Sequence, residues 1–330
     1  MFLDYFPFII PLIFFPILIY HKQISNAIGL LDYPDKRKKH LLPIPKIGGI
    51  YIFVSCIFSI IFFLNIYNER LIFSFIVLVG GLFLIGFIDD KIEMKATSRL
   101  ILQFAVTAIA ISIDFNLNIE NLKFGTLDKN ILIYNGSNLF TIFCIISLVN
   151  AINLADGKDG LVAMIFIIFL LYFFIFIPSD LNHLIKALIT SSILFLFYNI
   201  KGRIFLGNSG SYLVGGLMSF ITIQNYNAEP YEIEIIFLIF SFYGLDMLRV
   251  YIERLIRGVH PFTPENNHLH NYLFNYFSNK YFALMLYIIL AYATLSLHFL
   301  YKNYFVLTAL SISIYILTLI YFKKDNNLSE

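Results

Sequence analysis

Apolar runs of about 15 to 20 residues follow one another along almost the whole chain, each close to the length at which a helix crosses a bilayer. Of the 330 residues, 59% are hydrophobic and only 13% are charged. A water-soluble fold interleaves polar with apolar positions, because each of its elements presents a face to water. That interleaving is missing here. A transmembrane barrel is excluded as well, since it needs segments of roughly ten residues with alternating polarity. The expected fold class is all-α: a polytopic helical membrane protein, with residues 1–330 forming one integral membrane domain.

Eleven spans fit the pattern: Tyr5 to Tyr20, Ile47 to Tyr67, Leu71 to Ile88, Leu100 to Ile113, Ile131 to Val149, Leu161 to Ile177, Leu181 to Tyr198, Tyr212 to Tyr226, Ile233 to Leu248, Tyr281 to Leu300 and Tyr304 to Phe322. The first has no basic residue before it and no small-residue cleavage site after it, so it reads as a retained helix, not a signal peptide. Eleven spans place eighteen of the 23 Lys and Arg residues on one side, leaving Arg70, Lys123, Lys129, Lys186 and Lys302 elsewhere. The excess of basic residues on cytoplasmic loops then predicts an external N-terminus and a cytoplasmic C-terminus. Cys56 and Cys144 both fall inside apolar runs, which supports neither a disulfide framework nor a thiolate metal site.

The polar motifs all fall on the predicted cytoplasmic side, in loops at about residues 21–46, 89–99, 150–160, 199–211 and 249–280, and are expected to build one site. In "GFIDDKIE", Asp89 and Asp90 are adjacent carboxylates at a helix end. They repel one another and suit a cation between them, Mg²⁺ in the first instance; a solvated helix cap is the plain alternative. In "NAINLADGKDG", Asn150, Asn153, Asp156 and Asp159 recur every third residue, so neighbouring members share nearly one face of a helix or tight turn. Capping of the next helix would account for one of the four. In "FLGNSGS", Gly207 and Gly210 bracket Asn208, Ser209 and Ser211 at the start of the eighth span, where free N–H groups and the helix dipole favour an anion such as a pyrophosphate. Gly215 and Gly216, further along, also suit close helix packing. In "HPFTPENNHLHNYL", His268 and His270 share a side only in extended or loop geometry, which fits phosphate or sugar recognition better than a helical zinc site. The basic run Lys36 to His40, with Lys46 beyond it, reads as a topogenic and headgroup-binding cluster of which one or two members reach an anionic substrate.

These motifs, "DYPDKRKKHLLPIPKIGGI", "GFIDD", "NAINLADGKDGL", "FLGNSGS" and "HLHN", occur in an order that resembles the polyprenyl-phosphate N-acetylhexosamine-1-phosphate transferases of glycosyltransferase family 4, which include phospho-MurNAc-pentapeptide transferase. The resemblance runs from about Leu31 to Leu273, and "HLLPIPKIGG" with the acidic group Asp89, Asp90 and Glu93 is closer to the bacterial undecaprenyl-phosphate sugar-transferase branch. It implies transfer of a sugar 1-phosphate, GlcNAc or a derivative, from a UDP-sugar to undecaprenyl phosphate with release of UMP, as the first step of a cell-envelope polysaccharide. It further implies Mg²⁺, or Mn²⁺ in its place, and a cytoplasmic site in the bacterial inner membrane. A homodimer is allowed, and no nucleic acid takes part. Carried over by motif, Asp89, Asp90 and Asp156 are the catalytic and metal-binding carboxylates, with Asn208 as a fourth metal position. Substrate binding falls to His40, Lys46, Asn150, Asn153, Asp159, Gly207, Ser209, Gly210, Ser211, Arg254, His268 and His270. Two departures stand out: Asn208 where the family usually has Asp, and Asn271 where a third His is common.

A transporter is the main rival class. It would place its charges near the bilayer midplane, whereas only Lys186 and Asp246 lie at or within spans. "YGLD" is half of an intramembrane aspartyl protease pattern without its partner. The neutral Asn208 keeps open a catalytically inactive relative that acts as a scaffold.

Overall fold

The computed structural model of the protein describes residues 2–34, 41–63, 66–260, 263, 265 and 267–327. Among them, six helices are long and apolar enough to cross a membrane, or seven if the bent pair Tyr5–Ile19 and His21–Ile28, turned through 72°, is one span. Every one of the eleven apolar stretches contains a helix. Gly48–Phe62 and Leu161–Phe176 are apolar but shorter, at 15 and 16 residues, while Asn182–Asn199 and Gly207–Ala228 are long enough but laced with polar residues. The protein is a multi-pass helical membrane protein, with no closed sheet among the described residues.

The chain forms two compact units, residues 1–118 with 138–227, and residues 119–137 with 228–330. The first holds α1 (Phe2–Ile13), α2 (Pro16–Ile19), α3 (His21–Ile28), a two-residue antiparallel ladder of β1 (Leu31–Asp32) and β2 (Ile44–Pro45), then α4 (Gly48–Phe62), α5 (Glu69–Phe75), α6 (Gly81–Ile92), α7 (Ala96–Ile113), α8 (Ser137–Ala155), α9 (Leu161–Phe176), α10 (Asn182–Asn199) and α11 (Gly207–Ala228). One widened turn at Ile76–Gly80 joins α5 to α6, so Glu69–Ile92 is one 24-residue span.

α11 is the centre of this unit. Its residues are buried without a break from Ser209 to Ile223, so its neighbours are protein on every side, and its small and polar composition meets no lipid. Glycines let those neighbours approach. A Cβ on Gly49 of α4 would stand 2.6 Å from Gly210 Cα, one on Gly86 of α6 would stand 2.7 Å from Ser209 Cα, and one on Gly215 would stand 2.6 Å from Val149 Cα of α8. These separations exclude any side chain at the crossings, and the bare backbone of "FLGNSGSYLVGG" is there for helix packing.

The second unit holds an antiparallel hairpin, β3 (Asn121–Phe124) and β4 (Lys129–Leu132), with α12 (Ile233–Ile256), α13 (Leu269–Tyr276), α14 (Lys280–Leu297) and α15 (Tyr304–Asn327). The Glu234 carboxylate near the start of α12 accepts from Gly125 N at 3.0 Å and Thr126 N at 2.9 Å, which seats the hairpin turn on the helix. The two ladders qualify the all-helical expectation. Ile131 and Leu132, which the hydropathy pattern assigns to the fifth span, are strand residues, and α8 begins only at Ser137, after the Asn135–Gly136 turn.

Gly215→Ala is expected to destabilise the protein by about 1–3 kcal/mol, because its Cβ must displace backbone. Gly244→Ala, where a Cβ meets nothing within 4 Å, is expected to leave stability unchanged or slightly raised. Thermal melts of the two variants in detergent check this; equal melting temperatures would mean that the α8–α11 crossing tolerates a methyl group.

Candidate active site

The N-terminus of α11 organises the polar residues of the first unit. Gly207 has a positive φ of 77°, and a Cβ there would lie 2.7 Å from Asp90 Oδ2, so only glycine both adopts the turn and admits the carboxylate. Asp90, near the C-terminal end of α6, accepts from Asn208 N at 2.9 Å and Ser209 N at 2.8 Å. Its side chain is 1% exposed. An anion is favoured at this position, as the helix dipole requires, but the anion is Asp90. The expectation that these N–H groups cradle a pyrophosphate is corrected: the protein supplies its own carboxylate to the two groups, and Gly207, Ser209 and Gly210 serve the cap and the crossing with α4.

The segment before α11 is tied to the start of α4. Phe205 N donates to Pro45 O at 2.8 Å, and Gly48 N and Gly49 N donate to Phe205 O and Leu206 O, each at 3.1 Å. Lys46 directly follows β2, and its Nζ lies 3.0 Å from Asp32 Oδ1 and 3.9 Å from Asp90 Oδ1. Lys46 is thus a half-buried cation beside the capping carboxylate, in keeping with a role toward an anion. His40, together with the run from Lys36, lies outside the described residues.

Asp89 is committed differently. Glu93 ends α6 with a left-handed φ of 48°, a conformation that a non-glycine residue rarely adopts, and the turn returns α7 so that Arg99 Nη1 meets Asp89 Oδ2 at 3.0 Å. Met94 N donates to Oδ1 at 2.7 Å, Asn208 Nδ2 to Oδ2 at 3.0 Å, and Tyr212 OH to Oδ2 at 3.4 Å. Four donors converge on a carboxylate that is 2% exposed as a residue. Asn208 therefore acts through its amide nitrogen. A carboxylate at position 208 would face Asp89 as a like charge.

The "NAINLADGKDG" stripe divides where α8 ends, at Ala155. Asn150 Nδ2 donates to Gln103 Oε1 of α7 at 2.9 Å and to Ile146 O at 2.8 Å, so its amide is spent between helices. Asn153 Oδ1 accepts from Ser211 Oγ of α11 at 2.8 Å. Asp156 and Asp159 follow in the turn, and Gly160 N donates to Asn199 Oδ1 at 2.7 Å, pinning that turn to the end of α10. Among the described residues none donates a hydrogen bond to the Asp156 carboxylate. It keeps partial solvent access, yet the surrounding protein pushes its carboxyl up to about 7, with Asp90 and Asp159 adding repulsion and Lys46 opposing it. No three His, Cys, Asp or Glu side chains among the described residues are grouped closely enough to hold a metal ion by themselves.

The histidine segment belongs to the second unit. His268, extended at φ −84° and ψ 147°, precedes α13, so its ring stacks on that of His270 at 5.4 Å and 3° despite their i, i+2 spacing. The residues are 6% and 2% exposed, and His268 Nδ1 lies 3.1 Å from Asp246 Oδ2 of α12. Arg254 is also enclosed. Its side chain is 1% exposed, with Nε 3.7 Å from Glu265 Oε2.

The glycosyl transferase family 4 profile matches residues 72–225, from α5 through α11. The undecaprenyl-phosphate alpha-N-acetylglucosaminyl 1-phosphate transferase of Haemophilus influenzae is 28% identical over 272 residues, 77% of this chain and 74% of the relative. The probable undecaprenyl-phosphate N-acetylglucosaminyl 1-phosphate transferase of Bacillus subtilis is 26% identical over 278 residues, 81% and 76% of the two chains. The Salmonella typhi transferase of the first name is 23% identical over 269 residues, 76% and 70%. Over that segment the chain is similar to glycosyl transferase family 4. The matched segment carries Asp89, Asp90, Asn153, Asp156, Asp159 and Asn208, and it excludes Lys46 and the histidine segment.

Motif reasoning passed over Arg99, Gln103 and Tyr212 of this site. Arg99 is ten residues beyond Asp89 with no local pattern linking them, and only the Glu93 turn joins the pair. Removing Arg99 strands a buried charge, so Arg99→Met is expected to cost about 3 kcal/mol. The double variant Asp89→Asn, Arg99→Met is expected to melt higher than Arg99→Met alone. A double variant that is less stable than either single variant would show that the pair is not held by this ion pair.

Proposed function

We propose that this protein is a member of glycosyl transferase family 4 that transfers N-acetylglucosamine 1-phosphate from UDP-N-acetylglucosamine to undecaprenyl phosphate, releasing UMP, with Mg²⁺ as its cation, at the cytoplasmic face of the bacterial inner membrane. The acceptor and the sugar are those in the relatives' names. The observation that carries the catalytic reading is the Asp156 carboxylate, which has no hydrogen-bond donor among the described residues, is pushed up by desolvation and by Asp90 and Asp159, and is opposed by Lys46.

This donor set suits Mg²⁺. Mg²⁺ takes one or two carboxylates and leaves its other positions to water and substrate phosphates, so it needs no cluster of three protein ligands. Asp156 would hold the ion, with Asp90 and Asp159 supplying negative potential; Asp89, filled by Arg99 and Asn208, positions the α6 and α11 ends. When bound, the cation neutralises phosphate charge during transfer. An oxygen of the lipid phosphate attacks the phosphorus that bears the sugar, forming the new P–O–P bond. The bond from that phosphorus to the bridging oxygen breaks, and UMP carries the electron pair away. Lys46 offers charge to the anionic substrates beside Asp90, and the α11 cap keeps Asp90 fixed while they bind.

Purified protein supplied with UDP-N-acetylglucosamine, undecaprenyl phosphate and Mg²⁺ is expected to release UMP. EDTA should stop release, and Asp156→Asn should lower it by at least about a hundredfold. Release indifferent to EDTA and to that substitution would refute the reading; no release from any UDP-sugar would favour the inactive scaffold.

Asn208→Asp supplies a second test with a readout apart from turnover. It loses the donor to Asp89 and adds a like charge, so it is expected to melt below the native protein in EDTA and to gain more stability from added Mg²⁺. Identical Mg²⁺ responses of the two melting temperatures would mean that residue 208 does not face the cation.

A further inference from the structure

The second unit presents an apolar surface at the end where α12 and α15 begin and α14 stops. Leu127 in the β3–β4 turn, Ile131 and Leu132 in β4, and Tyr134 just beyond it are all exposed, Tyr134 to 78%. At the same end, the turn from α14 to α15 exposes Leu300 to 86%, with Tyr301 beside it. The two turns are neighbours: a Cβ on Gly125 of the hairpin turn would stand 2.4 Å from the ring of Tyr304, the first residue of α15, and the His298 ring stacks on that of Tyr304 at 5.6 Å. All of these residues belong to the second unit.

The hairpin is held firmly. Glu234 seats its turn, and Lys123 Nζ donates to Pro230 O at 3.2 Å and lies 3.2 Å from Glu232 Oε1. Lys123 pairs with Asn130, and Asn121 with Leu132, so these four share the face turned to the start of α12. Leu122, Phe124, Lys129 and Ile131 occupy the opposite face. A hairpin with one face in water keeps polar residues on that face. In β4 the neighbours Ile131 and Leu132 point to opposite faces and both are exposed, so each face meets an apolar surrounding.

The backbone sets the depth. β4 pairs with β3 alone, so among the described residues the N–H and C=O groups along its outer edge have no strand opposite them. Hydrocarbon offers such groups no partner, whereas the headgroup region offers water and ester oxygens. The apolar surface also continues that of the lipid-facing helices: Leu297 of α14 and Phe305 of α15 are exposed and lie at the ends of spans of which less than half is buried in protein. Tyr134 and Tyr301 suit the same zone, where an aromatic ring meets acyl carbon and its hydroxyl meets water.

We infer that the β3–β4 hairpin and the α14–α15 turn form an interfacial anchor, with Ile131, Leu132, Tyr134, Leu300 and Tyr301 seated among the lipid headgroups and the first carbons of the acyl chains. The partner is the lipid surface of that leaflet. Lys129 and Lys302, both exposed, extend from the same two segments toward the lipid phosphates. The anchor does not depend on which reaction the first unit performs.

The chain contains no tryptophan, so a single introduced indole reports only on its own surroundings. Ile131→Trp, Leu132→Trp and Leu300→Trp, each in the full chain, are placed in phosphatidylcholine–phosphatidylglycerol nanodiscs, where both faces are open to aqueous quenchers. With lipids brominated near the headgroup end of the acyl chain, each variant is expected to lose most of its indole emission. Lipids brominated near the chain terminus are expected to quench less, and iodide far less than it quenches a free tryptophan amide. Quenching by iodide with none by brominated lipid would mean that the surface faces water and would overturn the inference. Quenching by neither would mean that protein, a second copy of this chain included, covers it, and strongest quenching from the chain terminus would put the hairpin in hydrocarbon; each result overturns it equally. Lipid quenching at only one of positions 131 and 132 would show a hairpin docked on protein by its other face, which also contradicts the anchor. Should a β4 variant fail to fold, Tyr134→Trp replaces it with the same expected outcomes.

Discussion

The first unit depends on one contact, the Asp90 carboxylate against the backbone N–H groups of Asn208 and Ser209. A helix that starts inside protein leaves donors that must be satisfied, and a carboxylate buried at a helix end needs donors. Each solves the other's deficit. The contact also joins the two motifs most distant in meaning on paper, an acidic pair and a glycine loop, and brings the ends of α6 and α11 together. The glycine crossings with α4, α6 and α8 follow from it, because the α11 backbone can reach Asp90 only if no side chains intervene.

Adjacent carboxylates then take opposite tasks. Asp90 faces a helix dipole and Asp89 faces Arg99, an arrangement that separates two charges a single residue apart and stabilises each with its own cationic or dipolar partner. Asn208 bridges them, its N–H on Asp90 and its amide nitrogen on Asp89. Asp156 is left without such a donor among the described residues, and burial together with Asp90 and Asp159 raises its proton affinity. The second unit repeats the principle around Asp246, whose partners are one guanidinium, one phenol, one imidazole and one backbone N–H.

Much of the site was legible as a set of motifs and little of it as geometry. "NLADG" and "GFIDD" named the carboxylates, since acidic residues at the ends of apolar runs are too costly to be incidental. Their partners were not legible: Gln103 for Asn150, Ser211 for Asn153 and Arg99 for Asp89 lie 47, 58 and 10 residues away. The period of three in "NAINLADGKDG" suggested one shared face, but α8 ends inside the motif, and a helical period carries no information beyond the helix end. The spacing of His268 and His270 said only that they share a side in extended or loop geometry; that His268 is extended and His270 begins a helix, and that both are buried with His268 tied to Asp246, was invisible.

The sequence by itself determined a multi-pass helical membrane protein and the identity of its polar motifs, because the length of an apolar run and the cost of a charge in lipid are local properties. Tertiary structure alone decided the purpose of the bare backbone at residues 207–216. Read locally, free N–H groups at a helix start ask for an anion without specifying whose. The fold answers with Asp90, 118 residues away from Asn208, and the glycines beyond the cap are explained by helices that pass too close for a Cβ. That answer rests on distances between segments remote in sequence, which no local pattern encodes.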